Sequence, residues 1–218
     1  MQQEVIIVGG GMVGLSLALM LAKQNIAVKL LEAIKYPNYD DVNLAPYHSS
    51  FDARNSALSR RTVQIYQELG LWSALQEHAT PILEVNITEQ GSFGKARLKA
   101  EQEKVESFGQ VIENAWLGRV LLTEVQKQTL IELIDGVQVT QLTQDADMAY
   151  IKASRGEEQL SLQAKLVIAA DGRDSFCRKA LGIGASEHDY DQLAIVTTGH
   201  TSTPHNHVGF ERFSSLGP

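Results

Sequence analysis

The sequence predicts an α/β fold built on a Rossmann-like parallel sheet, and two stretches carry that prediction. In residues 5–32 an apolar run leads into a glycine-rich turn, a helical stretch, a second apolar run and a closing acid, Glu32. Residues 165–170 read KLVIAA, a continuous apolar run typical of a strand buried on both faces of a parallel sheet. Each stretch places a glycine turn and a helical pattern after a strand, which predicts repeated strand–turn–helix units.

Composition and charge limit the function classes. At 218 residues and 44% hydrophobic content the chain can bury a core, as one large domain or two small ones. The net charge of -7 disfavours nucleic acid or an anionic membrane surface as a general partner. No run is long and apolar enough to span a bilayer, and the first strand begins too close to Met1 for a signal peptide. The single cysteine, Cys177, excludes an internal disulfide and fits a reducing compartment, so we expect a bacterial cytoplasmic protein.

The glycine-rich turn has the spacing of a dinucleotide site. Gly9 permits the tight turn, Gly11 lets backbone N–H groups approach a pyrophosphate at the helix N-terminus, and Gly14 lets the helix pack close to the sheet. Met12 and Val13 open the helix and belong to the same predicted site.

The acid at the end of the second strand strengthens this prediction. Glu32 lies about twenty residues beyond the glycines, where a carboxylate accepts hydrogen bonds from ribose hydroxyls and repels the 2'-phosphate of NADP. The alternative is a glycine turn with only a packing role, but the order strand, helix, strand and acid favours a dinucleotide. A P-loop is excluded because no Gly-Lys-Ser/Thr follows.

Polar and charged residues dominate the next part of the chain. Residues 33–50 are predicted to form a long loop, and a helix is predicted after Ser59, its N-cap. Arg54, on the loop before that helix, is a candidate phosphate partner because its guanidinium can bind bidentately. Arg60 and Arg61 in the first helical turn either attract an anion or point into solvent, and exposure is the favoured interpretation.

A small inserted sheet, a helix and a three-stranded meander are predicted next. The helix spans residues 116–131 and carries Arg119 in its loop-facing first turn. Predicted strands of the inserted sheet are 82–89, 96–100 and 109–113, those of the meander are 137–143, 148–153 and 159–163, and two more follow at 193–198 and 208–213.

The KLVIAA strand ends in a second cluster of chemically versatile residues. Asp171 and Gly172 follow it directly, at the carboxyl edge of the sheet where open α/β sheets bind ligands. The alternative is a tight turn with Ser175 as a helix cap, but the position after a buried strand favours a ligand role. Cys177 is interpreted as an inert small residue. His205 and His207 lack a third ligand, so no metal is predicted.

Together these motifs resemble the aromatic-ring flavoprotein monooxygenases of the p-hydroxybenzoate hydroxylase type, and more narrowly the ubiquinone-biosynthesis hydroxylases. The segments that carry the resemblance are VIIVGGGMVG, Glu32, FDARNSALS, ELGLW, GQVIEN, VIAADGRDSFCR and ERFSSLGP. The resemblance implies a Rossmann-like FAD-binding domain over residues 1–80 and 112–186, with a partial substrate-domain sheet over 81–111 and 187–218.

The resemblance also implies roles for the candidate residues. FAD would lie extended across the sheet, with the glycines at its pyrophosphate and Glu32 at its adenosine ribose. Arg54 and Arg119 would lie beside the flavin phosphates and ribityl chain. Asp171 and Gly172 would serve both FAD and the passing NAD(P)H.

The activity implied is hydroxylation of a polyprenylated phenol, with NAD(P)H as co-substrate and O2 as oxidant. Association with a membrane surface or a biosynthetic complex is a family expectation. The third flavin motif of the family, a Gly-Asp segment, does not occur in these residues, so we expect the chain to correspond to the amino-terminal half of such an enzyme. A nucleotide-binding module without catalysis and a flavin-dependent reductase are the alternatives, and exposed sheet edges would favour self-association.

Overall fold

The computed structural model describes residues 5–36, 51–197, 199–215 and 217. Its helices are α1 (Met12–Lys23), α2 (Arg60–Glu68), α3 (Trp72–Leu75), α4 (Asn114–Lys127) and α5 (Phe176–Ala180). Its strands are β1 (Val5–Val8), β2 (Val28–Leu31), β3 (Asn55–Ser59), β4 (Ala79–Pro81), β5 (Glu84–Glu89), β6 (Lys95–Lys99), β7 (Gly109–Glu113), β8 (Ile131–Ile134), β9 (Gln138–Gln144), β10 (Ala149–Arg155), β11 (Glu158–Ala164), β12 (Leu166–Ala169) and β13 (Val208–Phe213).

Packing divides the chain into two units. The first comprises Met1–Ala53 and Asn114–Gln192, and the second comprises Arg54–Glu113 and Leu193–Pro218. This division does not test the predicted extents of the FAD-binding and substrate domains, which stay predictions.

A four-stranded parallel sheet forms the centre of the first unit, in the order β12-β1-β2-β8. Val5 of β1 lies opposite Leu166 of β12 on one side and opposite Val28 of β2 on the other. All three strand pairs are parallel, as expected when helical or longer connections return the chain to the same edge. The predicted α/β, Rossmann-like fold is therefore confirmed.

The two faces of this sheet are covered by different layers. Ile7 of β1 lies near Gly14 of α1, and α1 packs against α4. The opposite face packs on the antiparallel meander β11-β10-β9, which the sequence predicted. The buried core between sheet and meander consists of Ile6, Val8, Leu31, Val137, Val139, Leu142, Ile151, Ala153, Ala164 and Cys177.

Three details of the sequence prediction are wrong. The KLVIAA strand is not buried on both faces: within the described residues β12 pairs only with β1, and edge position leaves Leu166 52% exposed. The helix predicted to reach residue 131 ends at Lys127, because Ile131 and the three residues after it instead pair with β2. Residues 193–197 form no strand and Leu193 is 97% exposed; residue 198 lies outside the described residues.

The second unit contains two three-stranded sheets, ordered β13-β5-β6 and β3-β7-β4. The predicted small sheet is thus present, although its third strand, β7, pairs with β3 and β4. Helix α2 begins after Ser59, whose hydroxyl accepts a 3.2 Å hydrogen bond from the Thr62 N–H, so the predicted cap is confirmed. Most of the predicted loop, residues 37–50, lies outside the described residues.

Candidate functional site

The glycine turn after β1 is shaped by the strand ends on both sides of it. The Gly9 N–H donates a 2.8 Å hydrogen bond to the Leu31 carbonyl at the end of β2. Gly9 has φ +106, and a Cβ there would collide with the backbone of Ala170 just after β12. Glycine is therefore required at this position both for the backbone conformation and for the close approach of the chain at Ala170.

The N-terminus of α1 follows directly. Gly11 is its N-cap in an extended conformation, no side chain caps the first turn, and no acidic residue lies in that turn. A Cβ on Gly14 would collide with the Gly9 carbonyl oxygen, so the helix start packs directly on the turn. Because the first N–H groups of a helix have no partner within the helix, this end of α1 favours an anion.

Glu32 is bound to the same turn. Its Oε2 accepts a 2.6 Å hydrogen bond from the Gly10 N–H, and its Oε1 accepts a 2.8 Å bond from the Ile34 N–H. The residue is only 8% exposed. Backbone N–H groups from two segments of the chain thus fix the orientation of this carboxylate.

Asp171 is held just after β12 by the start of α5. Ser175 donates a 2.6 Å hydrogen bond to its Oδ1, and the Cys177 N–H donates a 3.0 Å bond to its Oδ2. Burial raises the pKa of Asp171, but the hydrogen bonds from Cys177 and Ser175 outweigh this effect and the net pKa lies below its ordinary value. Asp171 is therefore charged at neutral pH, and its orientation is fixed.

These elements meet at a cleft of about 340 Å³ in the first unit. Five of the predicted site residues line it: Gly9, Gly11, Glu32, Asp171 and Gly172. Its walls are completed by apolar residues at the strand ends, including Val8, Leu31 and Val139. The sequence thus identified residues from two distant segments that the fold brings to one place.

The remaining predicted residues lie elsewhere or at the border of the cleft. Met12, Val13 and Gly14 form the first turn of α1, where Val13 is 72% exposed. Arg119 lies on α4, with its guanidinium carbon 5.9 Å from the centre of the Trp116 ring, and is not among the described residues that line the cleft.

The three arginines that the sequence singled out near α2 lie in the second unit. Arg54 does not directly precede α2 as expected, because the strand β3 lies between them. Arg61 forms a 3.3 Å ion pair with Glu68 across the exposed face of α2, which supports the favoured interpretation of solvent exposure. Arg60 borders a small cavity together with Ser107 and Gln110.

Sequence reasoning missed Tyr36 and Asp135. The Tyr36 hydroxyl donates a 2.5 Å hydrogen bond to the Gly10 carbonyl, and the Tyr36 N–H donates a 2.8 Å bond to Asp135 Oδ2. Tyr36 falls in the stretch predicted as a loop without periodicity, and Asp135 lies in a turn 99 residues away. The residues next to a single buried aromatic residue in such a stretch do not indicate which distant groups it will contact.

Cys177, His205 and His207 were considered as reactive or metal-binding residues from the sequence. Burial, with the nearby Asp171 carboxylate, raises the pKa of Cys177 to about 12, so its thiol is neutral at physiological pH. The rings of His205 and His207 lie 5.4 Å apart in an edge contact. No group of three or more metal-ligating side chains was found among the described residues.

The family of the chain follows from its match to known proteins. The family model described as an FAD binding domain matches residues 2–211. The chain belongs to this FAD-binding domain family. FAD is therefore the cofactor that the cleft has to fit.

Curated relatives of this FAD-binding domain include ubiquinone hydroxylases. The chain is 31% identical over 215 residues to ubiquinone hydroxylase UbiL of Rhodospirillum rubrum, covering 99% of the chain and 48% of the relative. It is 30% identical over 217 residues to 3-demethoxyubiquinol 3-hydroxylase of Escherichia coli, covering 99% of the chain and 53% of the relative. The chain thus spans about half the length of these relatives.

Solved structures of a monooxygenase and a hydroxylase share the fold. The p-nitrophenol 4-monooxygenase PnpA of Pseudomonas putida DLL-E4 matches with a TM-score of 0.68 and 23% identity, over 83% of this chain and 44% of that one. The anhydrotetracycline hydroxylase OxyS of Streptomyces rimosus matches with a TM-score of 0.70 and 23% identity, over 87% of this chain and 36% of that one. At this identity the likeness establishes the fold.

The cleft of the FAD-binding domain fits the adenosine diphosphate part of its cofactor. The uncapped N-terminus of α1 supplies backbone donors suited to a pyrophosphate, and Glu32 supplies acceptors suited to ribose hydroxyls. Apolar residues complete the walls of the cleft.

Among the helices that the structure describes, none has the length and apolar character needed to cross a bilayer.

Proposed function

We propose that this FAD-binding domain serves a flavoprotein monooxygenase that hydroxylates a polyprenylated phenol in ubiquinone biosynthesis, with NAD(P)H and O2 as co-substrates. The observation that carries the proposal is the cleft in which the glycine turn, Glu32 and the Asp171–Gly172 turn meet. The names of the relatives, ubiquinone hydroxylase and 3-demethoxyubiquinol 3-hydroxylase, support the substrate class. Among the ubiquinone-biosynthesis hydroxylases, the sequence motifs resemble those of 2-octaprenyl-6-methoxyphenol hydroxylase, and we predict an activity of that kind.

The proposed roles in the first unit follow the chemistry of each group. Gly9, Gly11 and Gly14, with the N–H groups of Met12 and Val13, bind the pyrophosphate at the start of α1. Glu32 accepts hydrogen bonds from the adenosine ribose. These groups would hold the ADP part of FAD.

The second group of residues completes the proposed site. Asp171 and Gly172, at the carboxyl edge of the sheet, would serve both FAD and NAD(P)H. Arg54 and Arg119 neutralise the phosphates and contact the ribityl chain, because a guanidinium binds a phosphate with two parallel hydrogen bonds. Bound flavin supplies the redox and oxygen chemistry, while the protein orients it and excludes water.

Flavin binding is the first test. The purified chain is titrated with FAD while flavin fluorescence is recorded, and bound FAD is then displaced with ADP and, separately, with NADP. We expect ADP to compete better than NADP, because Glu32 repels a 2'-phosphate. No measurable competition by ADP would contradict the proposed site.

Catalysis is tested on the gene product as the host organism makes it. NADH and NADPH oxidation is followed with and without a short-chain prenylated phenol, and products are identified by mass spectrometry. The proposal predicts faster oxidation with the phenol and a product that carries one additional oxygen atom. FAD binding with unchanged oxidation and no such product would favour a nucleotide-binding module without hydroxylase activity. Phenol-independent reduction of another acceptor would favour a flavin reductase.

A further inference from the structure

Tyr36 reaches back from the segment after β2 to the glycine turn. Its hydroxyl donates a 2.5 Å hydrogen bond to the carbonyl oxygen of Gly10, and the residue is 7% exposed. Gly10 leaves no room for a side chain at this point, since a Cβ there would collide with the Tyr36 hydroxyl. The Tyr36 side chain therefore binds directly to the backbone of the turn.

Gly10 is held from both of its polar groups. Its N–H donates to Glu32 Oε2 at 2.6 Å, while its C=O accepts from Tyr36 at 2.5 Å. Both bonds are buried, where a hydrogen bond is shielded from competition with water. The peptide groups on both sides of the Gly10 Cα therefore have a fixed orientation, although glycine by itself allows a wide range of backbone angles.

The orientation of Gly10 determines that of the next N–H group. In a planar trans peptide the C=O of one residue and the N–H of the next point in opposite directions. The Gly10 carbonyl faces Tyr36, so the N–H of Gly11 points away from Tyr36. Gly11 lines the cleft at the start of α1.

We propose that Tyr36 is a positioning residue, which holds the Gly10–Gly11 peptide so that the Gly11 N–H faces the phosphates of the bound dinucleotide. The inference rests on the proposed FAD site and adds to it a residue outside the glycine motif. Tyr36 acts through the backbone and does not itself contact the phosphates.

Tyr36 is anchored from two other directions, which makes it a rigid support. Its N–H donates a 2.8 Å hydrogen bond to Asp135 Oδ2 in the turn after β8. Its ring stacks on Phe51, with ring centres 6.3 Å apart and planes 13° from parallel. Phe51 in turn packs against Gly118 of α4, where a Cβ would collide with the ring. A hydroxyl on such a support fixes its acceptor more closely than a mobile side chain would.

The test compares wild type, Tyr36→Phe and Tyr150→Phe. Tyr36→Phe removes only the hydroxyl and keeps the ring. Tyr150→Phe is the matched control, because it removes a 2.8 Å tyrosine hydrogen bond to Asp145 in the exposed turn between β9 and β10. Amide hydrogen exchange of the ligand-free chain is measured by NMR at Gly10. We expect exchange about 5-fold faster in Tyr36→Phe, as for the loss of one hydrogen bond, and unchanged in Tyr150→Phe.

Ligand binding distinguishes a specific effect of Tyr36 on the phosphate-binding N–H group from a general loss of order in the turn. ADP and adenosine are titrated into each variant, and we expect Tyr36→Phe to weaken ADP about 5-fold while leaving adenosine unchanged. Equal weakening of both ligands, or wild-type values for exchange and ADP affinity, would overturn the role of Tyr36. Wild type that binds no ADP would instead refute the proposed function, so the two failures are distinguishable.

Discussion

The backbone N–H of Gly10 donates a 2.6 Å hydrogen bond to Oε2 of Glu32, which joins the glycine turn after β1 to the acid that closes β2. Glu32 thus has a structural role in the protein itself, in addition to the role proposed for it toward a ribose. A substitution at Glu32 therefore affects stability as well as ligand binding.

Glu32→Gln is expected to destabilise the fold. Both carboxylate oxygens accept backbone N–H bonds, from Gly10 and Ile34, and an amide has one oxygen and one NH2 group. One buried N–H therefore loses its acceptor, at a cost of about 1–3 kcal/mol in the free energy of unfolding. Urea denaturation at neutral pH measures this difference. Glu187→Gln, at an exposed position, is the control, and equal stability of the two variants would contradict the expectation.

Gly14→Ala is expected to disturb the turn and the start of α1 together. The new methyl group would collide with the Gly9 carbonyl oxygen, so the helix has to move away from the turn. We expect a loss of roughly 1–3 kcal/mol in the free energy of unfolding, as for overpacking in a core, and weaker ADP binding. Gly184→Ala is the matched control, because a Cβ at Gly184 meets only open space. Wild-type stability and ADP affinity in Gly14→Ala would refute this prediction.

Asp171 is expected to make stability depend on pH in the acid range. Its pKa in the folded state lies below the ordinary value, so its stabilising contribution is present above the unfolded pKa of about 3.9 and is lost as pH falls through the folded pKa. Urea midpoints measured from neutral to acid pH should fall less steeply below about pH 4 in Asp171→Asn than in wild type. At neutral pH the variant should be the less stable protein.

The control for this pH profile is Asp147→Asn, in the exposed turn between β9 and β10. Its urea midpoints should run parallel to those of wild type. If Asp171→Asn also ran parallel to wild type, the hydrogen bonds from Ser175 and Cys177 would not stabilise the charged form of Asp171.

Cys177 is expected to react slowly with iodoacetamide in the native protein. It is fully buried and its pKa is raised to about 12, so both access and the thiolate fraction are low. At pH 8 we expect alkylation roughly 100-fold slower than in urea-unfolded chain. Mass spectrometry gives the rate without ambiguity, because the chain has one cysteine. Rapid labelling of the native chain would show that α5 opens readily.

The same raised pKa gives a stability prediction of opposite sign in alkali. Burial favours the neutral thiol, so the contribution of Cys177 is fully present below its unfolded pKa of about 8.5 and is lost as pH rises toward about 12. Unfolding midpoints of wild type should therefore decline over that range. The decline should be smaller in Cys177→Ala, which has no thiol to ionise.

Several elements could be predicted because their signals are local. The run VIIVGGGMVG specifies a strand, a turn and a helix start through apolar patterning and glycine spacing, and α1 and β1 occur there. Ser59 was predicted as a cap, and a Ser175 cap was the alternative set aside in favour of a ligand role at Asp171 and Gly172. Both serines accept bonds from N–H groups three residues on, because capping depends on residues a few positions away.

Other features were wrong or missed because they depend on distant partners. Strand β8 continues an apolar pattern that also suits a helix, and only its pairing with β2 decides between them. The exposure of Leu166 depends on which strands flank β12. The strand predicted at residues 193–198 has the right residues, but residues 193–197 form no regular structure.

The sequence by itself determined the parts of a dinucleotide site: a glycine turn at a helix start, an acid at Glu32 and a second turn at Asp171. Each of these motifs can be recognised from residues that are close together in the chain. Only the tertiary structure decided that Gly9 meets Ala170 beside Asp171, and that Glu32 binds the N–H of Gly10 while Tyr36 binds its C=O. Those contacts join residues that are far apart in the chain, and they form only when β1, β2 and β12 pair in one sheet.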